Sequence, residues 1–447
     1  MRIPLPILYA FLFAGCTNLL DADLTNRSTF IKLYNGIEGI EATDCILTED
    51  GYIILGNMTV ALDSTIAVVI QTDTRGNRIG DIRYYQGGSG KVIRALPDIS
   101  GYLIVGDKLT LTQGSQGVIA TYSTHLLQIE QNLDSLRTRY LRDESSAEIK
   151  KSFRGSSLTV GPGPNSEVVI LGTVRTTLGA PERPYIQLVP TDKLSENIWS
   201  EDDVWYQEFD LIDRNYRNSK TVHYTNGSII WASAIAQEQT NFNLSYLCIP
   251  KVESGSVFTN YSVFADQSTQ SIQPNDIRPS YFPAFGFGVV GTRSNTNGTF
   301  SNIFFLRVDS NGTIIPSTIK YFDVSLSSND EEVLADGCTD PLNSGLAPFP
   351  CSVTQDYGTA ITSTQDGGFV LAGHYTTTDE SDNIVLIKLD AFGNMIWIKT
   401  IGGTGEEHVA TLIETEDNGL LLCGTTIVGN VPSIFLIKTD ENGELKN

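Results

Sequence analysis

Four histidines, His125, His223, His374 and His408, are the only imidazoles in the 447 residues. Any imidazole-based proton transfer or metal binding must therefore draw on them. They fall in different parts of the chain, and none has a Cys or Glu partner at zinc-ligand spacing, so no metal site and no cofactor is expected. Carboxylates cluster at two places. Asp330-Glu331-Glu332 lies in a long irregular stretch, and Glu406-Glu407 immediately precedes His408, beside Gly402-Gly403. Asp356-Tyr357 occupies the place equivalent to Glu407-His408 about fifty residues earlier. Asp330, Glu331, Glu332, Asp356, Tyr357, Glu406, Glu407 and His408 are accordingly the candidate ligand-binding residues. Hydrolysis of a polysaccharide would need two carboxylates facing each other across the bond, and sequence cannot establish facing, so no catalytic residue is assigned.

Two glycine motifs imitate cofactor loops. Gly286-Phe287-Gly288-Val289-Val290-Gly291 fits a dinucleotide-binding spacing, but Thr292 to Gly298 reads as a loop where a helix must open. Gly87-Gly88-Ser89-Gly90-Lys91 has Tyr85 and Val92 at positions where a phosphate loop needs Gly and Ser/Thr. Neither carries the chemistry it suggests.

The six cysteines divide three ways. Cys45, Cys248 and Cys423 lie inside apolar runs and read as small core residues. Cys338 and Cys351 bracket a loop rich in Pro, Gly and Asn, and are the disulfide candidate. Cys16 ends an apolar run that starts after Met1-Arg2, a run too short to span a bilayer and of the length of a secretory signal. Phe13-Ala14-Gly15-Cys16 resembles a bacterial lipobox. That resemblance implies residues 1–15 as a signal peptide, lipid on Cys16, and residues 16–28 as a tether to the membrane.

The formal charge is −22, from 30 Lys+Arg against 52 Asp+Glu, which opposes nucleic-acid binding. Forty glycines and 18% charged residues suit short strands and tight turns better than long helices.

A repeat organises those strands. Thr364-Gln365-Asp366-Gly367-Gly368-Phe369-Val370-Leu371-Ala372-Gly373 is echoed by Thr415-Glu416-Asp417-Asn418-Gly419-Leu420-Leu421-Leu422-Cys423-Gly424. Good copies place equivalent anchors at Gly56 and Gly106, and looser ones at Gly172, Ala232 and Gly291. The seven anchors are spaced 50, 66, 60, 59, 82 and 51 apart, as four-stranded blades with inserted loops would be. The apolar run before each anchor predicts a strand buried on both faces between neighbouring blades. The anchor glycine predicts close backbone approach or a bulge. Met395 to Ile401 reads as the first strand of the last copy. Phe30-Ile31-Lys32-Leu33-Tyr34 resembles Trp397-Ile398-Lys399-Thr400 and supplies the strand that the C-terminal end lacks. The fold expected is all-β: a seven-bladed β-propeller of four-stranded antiparallel blades over residues 29–447, closed by the N-terminal strand. The largest spacing holds an inserted loop, residues 327–357, the first candidate for a binding surface.

Residues 361–401 carry the pattern almost whole: Asp366-Gly367-Gly368-Phe369, Ile387-Lys388-Leu389-Asp390, Gly393-Asn394 and Trp397-Ile398-Lys399. The pattern resembles the propeller-forming repeats of lipoproteins and surface proteins of the Bacteroidota. The resemblance implies fold and compartment, here the cell outer membrane, and no reaction. The function expected is a monomeric, lipid-anchored, non-catalytic module that binds a protein or a glycan in the envelope. The alternatives are a propeller enzyme acting on polysaccharide and a scaffold of an envelope complex.

Overall fold

The computed structural model describes residues 29–446, apart from 37–38, 62–63, 97–100, 115–116, 142–150, 162–166, 178–179, 196–204, 210–214, 226, 239–240, 254–258, 265–269, 283–285, 296–300, 327–331, 335–354, 378–380 and 404. Seven four-stranded antiparallel sheets form a ring, a seven-bladed β-propeller as the repeat predicts. Blade one runs through Glu41–Thr48, Gly51–Ala61, Ser64–Asp73 and Arg78–Tyr85. Blade two is Val92–Ala95, Tyr102–Gly114, Gly117–Ile129 and Ser135–Leu141. Blade three is Ser152–Val160, Glu167–Arg175, Arg183–Pro190 and Trp205–Glu208, and blade four Tyr216–Thr225, Ser228–Glu238, Asn241–Glu253 and Thr259–Phe264. Blade five is Gln270–Pro279, Phe287–Asn295, Ser301–Val308 and Ile314–Phe322, and blade six Asp356–Ser363, Phe369–Thr376, Asp382–Leu389 and Met395–Ile401. The first strand of each blade lies innermost.

Blade seven closes the ring. Glu407–Glu414, Leu420–Val428 and Val431–Lys438 are followed, in the sheet, by the N-terminal strand Phe30–Tyr34. Phe30 pairs with Lys438 and Tyr34 with Ile434, antiparallel. The closure is therefore the one expected, but the phase of the repeat differs by one strand. Met395–Ile401 pairs with Asp382–Leu389 and is the outermost strand of blade six, not the first of blade seven.

The continuous apolar runs follow from stacking. Alternate side chains of one strand serve two interfaces: Tyr52 and Ile54 pack towards blade seven, Ile53 and Leu55 towards blade two. Each of the seven blade-to-blade contacts has its own buried apolar cluster. Gly286 to Gly291 belongs to this scheme, since Phe287–Asn295 is a strand. Cys45, Cys248 and Cys423 are buried free thiols of the same core.

Two turn devices fix the blades. Asp73, Asp309, Asp390 and Asp440 each accept backbone N–H bonds from residues two and four ahead. The intervening Gly76, Gly312, Gly393 and Gly443 sit at positive φ, where a side chain would be strained. In the second device Lys388 and Lys438, almost fully buried, reach back from the third strand to Asp366 and Asp417 at 2.8 and 2.7 Å. The Thr-x-Asp and Ile-Lys elements of the repeat are thus two halves of one contact.

The insertion begins as a small hairpin, Val324–Leu326 paired with Glu332–Leu334. Asp330, Glu331, Cys338 and Cys351 lie outside the described residues, as do Cys16 and the whole of 1–28.

Candidate functional site

The anchor glycines shape the axis of the ring. Each of Gly56, Gly172, Gly291, Gly373 and Gly424 faces an inner strand at a point where the register slips by one residue. The skipped residues are Thr43, Ser156, Asn275, Thr359 and Ala410. In blade four the slip covers Ser219, Lys220 and Thr221. A Cβ at Gly172, Gly291, Gly373 or Gly424 would collide with the carbonyl oxygen of Arg154, Gln273, Tyr357 or His408 respectively. The glycine lets the bulged strand approach, and the bulge turns a side chain towards the axis. Thr43, Ser156, Ser219, Lys220, Asn275, Thr359 and Ala410 all line an axial cavity of about 740 Å³.

That cavity is basic, although the chain is acidic. Lys91, Arg154, Arg175, Arg217 and Lys220 line it, with Glu182 as the one carboxylate among the described lining residues. Arg175 bonds Glu182 at 2.6 Å, and Lys91 bonds Asp107 at 2.6 Å. The Arg154 guanidinium lies over the Tyr122 ring, 3.8 Å from its centre, and Arg217 donates to the neutral amide of Gln273. Lys91 ends the glycine loop that imitated a phosphate site, and it serves the axis instead.

Lys220 crosses from blade four to the far wall. Its ammonium donates to the Ala410 carbonyl at 2.7 Å and to Thr411 Oγ1 at 2.6 Å, and lies 3.2 Å from Asp44 Oδ1. Asp44, 1% exposed, also accepts from Thr411 Oγ1, from the Ile93 N–H and from Arg94 at 2.7 Å. Burial works against the carboxylate, but Lys220, Arg94 and the Ile93 N–H overcome it and hold Asp44 far below the usual carboxylate range. Blades seven, one, two and four therefore meet at a single carboxylate. Asp276 makes a parallel link, accepting from Thr221 Oγ1 of blade four and the Ile361 N–H of blade six.

Tyr357, Glu407 and His408 lie where the inner strands of blades six and seven begin. Tyr357 pairs in register with His374, and the two rings stack at 4.7 Å between centres. His374 and His408 rings are 4.3 Å apart. His408 Nε2 lies 3.3 Å from Asp382 Oδ2, and Asp382 Oδ1 accepts from Thr376. Burial, then the neighbouring His408, pushes His374 down to about 4. The bond to Asp382 raises His408. Glu407 is raised by burial, although its Oε1 accepts from Thr426. Glu406 is exposed to solvent. Glu332 lies on the insertion hairpin. Asp356 is turned inward to the root of the insertion, not towards this cluster: its Oδ2 accepts the Val324 N–H at 2.9 Å.

His374 and Asp382 were missed as partners of His408. The signal available was positional. His374 directly follows the blade-six anchor, and His408 is the blade-seven equivalent of Tyr357, so the ring brings a second and a first strand of adjacent blades together.

No family model matches the chain, and no curated protein is significantly similar in sequence. Solved structures match at low identity. A puromycin hydrolase variant complexed with PGG is 11% identical over 92% of this chain and 55% of its own, with a TM-score of 0.47. A Trypanosoma rangeli sialidase in complex with a difluorosialic acid is 10% identical over 83% and 56%, TM-score 0.42. A Synechocystis apocarotenoid oxygenase is 10% identical over 60% and 56%, TM-score 0.35. The chain spans little more than half the length of each of these enzymes.

Proposed function

We propose that the chain is an exported protein, anchored in the bacterial outer membrane by lipid on Cys16, whose propeller is a non-catalytic binding module for an acidic glycan. The carrying observation is the axial cavity: in a chain of net charge −22, five cations line it, Lys91, Arg175 and Lys220 already paired with Asp107, Glu182 and Asp44, and Arg154 and Arg217 beside them. Arginine forks match the planar carboxylates of uronic acids and the oxygens of sulfated sugars. Concavity favours a sugar segment over a protein face, since a volume of about 740 Å³ falls within the roughly 300–1,000 Å³ of ligand cavities. Glu182, the lining carboxylate, is already held by Arg175 and Thr173. Hydrolysis by paired carboxylates would need a second one opposite it, and this favours binding over turnover. Among the described residues no helix is long and apolar enough to cross a membrane.

The test is titration of the full chain with polyuronate and sulfated oligosaccharides, with products analysed alongside. Acidic chains are expected to bind, more weakly as salt is raised, and to be recovered intact. Arg154→Ala with Arg217→Ala should weaken binding roughly 10- to 100-fold, the equivalent of about 1.5–3 kcal/mol for a charge-assisted contact. Binding unchanged in that variant, or release of shorter products, would overturn the reading.

Anchoring is tested separately. Cys16→Ser should move the protein from the membrane fraction to the soluble fraction and abolish incorporation of labelled fatty acid. Membrane retention with undiminished labelling would remove Cys16 as the anchor.

A further inference from the structure

Outside the axial cavity, one group of side chains combines ligand types that rarely meet without purpose. His374 on the second strand of blade six, Asp382 at the start of its third and His408 on the first strand of blade seven each offer a ligand atom, and these atoms lie within 4.8 Å of one another. The Asp382–His408 contact at 3.3 Å accounts for only part of this arrangement. His374 is 8% exposed, and its Nδ1 is buried with no hydrogen-bond partner. An imidazole nitrogen in that state is a lone pair or a donor without a use.

We propose that His374, Asp382 and His408 form a mononuclear site for a divalent transition metal of the zinc type, with a coordination position left open to solvent. Two imidazoles and a carboxylate are the ligand set that zinc accepts, and three protein ligands leave a fourth position vacant. Tetrahedral ligands about 2.1 Å from zinc stand roughly 3.4 Å apart. The 3.3 Å between His408 and Asp382 already meets this, and the other separations, within 4.8 Å, close by at most about 1.4 Å on binding. The surroundings hold the ligands as supporting groups do in metal sites. The Tyr357 ring stacks on His374, and Thr376 Oγ1 donates to the Asp382 oxygen that does not face His408. The His408 side chain is 46% exposed, so the open position faces water. Glu407, next in the chain, keeps a buried Oε2 without a partner.

The site spans two blades. Its metal would fasten the second strand of blade six to the inner strand of blade seven, on the face where the inner strands begin and beside the insertion.

The experiment is calorimetric titration of tag-free full chain, stripped with chelator, with Zn2+, and in parallel the visible absorption of Co2+ as a geometry-sensitive readout. The expected result is one saturable equivalent of Zn2+ with affinity in the micromolar range or tighter, and a tetrahedral or five-coordinate Co2+ spectrum. His408→Ala removes a half-exposed side chain and its contact with Asp382, and should lower the metal-free melting temperature only slightly. It should weaken Zn2+ binding by at least the roughly tenfold lost when even a supporting partner is removed. Asp382→Asn should do the same and alter the Co2+ spectrum. Absence of saturable binding to the unaltered chain would overturn the proposal. So would affinity unchanged in both His408→Ala and Asp382→Asn, which would place the bound ion elsewhere on the acidic surface.

Discussion

Replacing Asp44 by alanine is expected to destabilise the ring by about 3–5 kcal/mol, the range for removing one partner from a buried ion pair. The carboxylate is 1% exposed and receives Arg94 at 2.7 Å, Lys220 at 3.2 Å, the Thr411 hydroxyl and the Ile93 N–H. Without it the Ile93 N–H loses its acceptor. Arg94 retains the Ile93 carbonyl, and Lys220 retains Ala410 and Thr411, but both cations, only about one-fifth exposed, lose the counter-charge of Asp44. At about 2 cal/mol/K per residue, this corresponds to a fall of roughly 3–6 °C in melting temperature if the ring unfolds as one unit.

Two controls separate charge from packing. Lys220→Met in the Asp44→Ala background should recover part of the loss, because it removes a stranded cation, and the non-additivity measures the coupling. The contribution of Asp44 also has a pH signature. Its folded pKa is depressed, so the stability is fully present above the ordinary carboxylate value of about 3.9 and is lost as pH falls below it. A loss under 1 kcal/mol at pH 7, or one that does not shrink under acid, would show that the four blades do not depend on this carboxylate.

Such a clamp was invisible in the sequence for a physical reason. Thr411 and Asp44 are 367 positions apart, and a polar residue among apolar ones in a strand looks like an exposed position on an alternating face. What periodicity could reveal was the ladder itself. The anchors from Gly56 to Gly424 mark the seven second strands, and the match between Phe30–Tyr34 and the strand of Trp397 located the closure. The reason for the anchors was legible only in outline. Glycine was expected to permit a bulge, but which side chain the bulge would expose depended on its partner strand. The basic axis followed from that same step, concealed by the acidity of the chain as a whole. The histidines looked scattered because proximity in a ring is set by blade position. His374 and His408 are separated by a strand pair in the chain and by one blade contact in space. The insertion was read from the longest spacing as residues 327–357, and Asp330, Glu331, Cys338 and Cys351 within it lie outside the described residues. Of its candidates, Asp356 was expected to meet a ligand and instead faces inward.

That inward carboxyl gives the second large effect, of opposite sign to the first. Asp356→Asn is expected to stabilise the protein at neutral and alkaline pH. Asp356 is fully buried. Burial, together with the adjoining carboxyl of Asp323, pushes it up to about 8, against the pull of the Val324 N–H. The folded protein therefore retains a proton there that the unfolded chain releases near pH 4. Stability tied to this proton is complete below about pH 4, declines as pH rises, and is gone once pH passes the folded value. At roughly 1.4 kcal/mol per pH unit, the cost at pH 7.5 is on the order of 2–5 kcal/mol. Asparagine is neutral throughout and keeps an acceptor for the Val324 N–H, so it avoids the cost. Melting temperatures of the variant and the unaltered chain should converge near pH 4 and separate steadily towards pH 8, with the variant higher. A difference that stays constant with pH would mean that Asp356 is already ionised and held by a partner. Because Val324 opens the insertion hairpin, the same titration sets how firmly that loop is rooted beside the mouth of the ring.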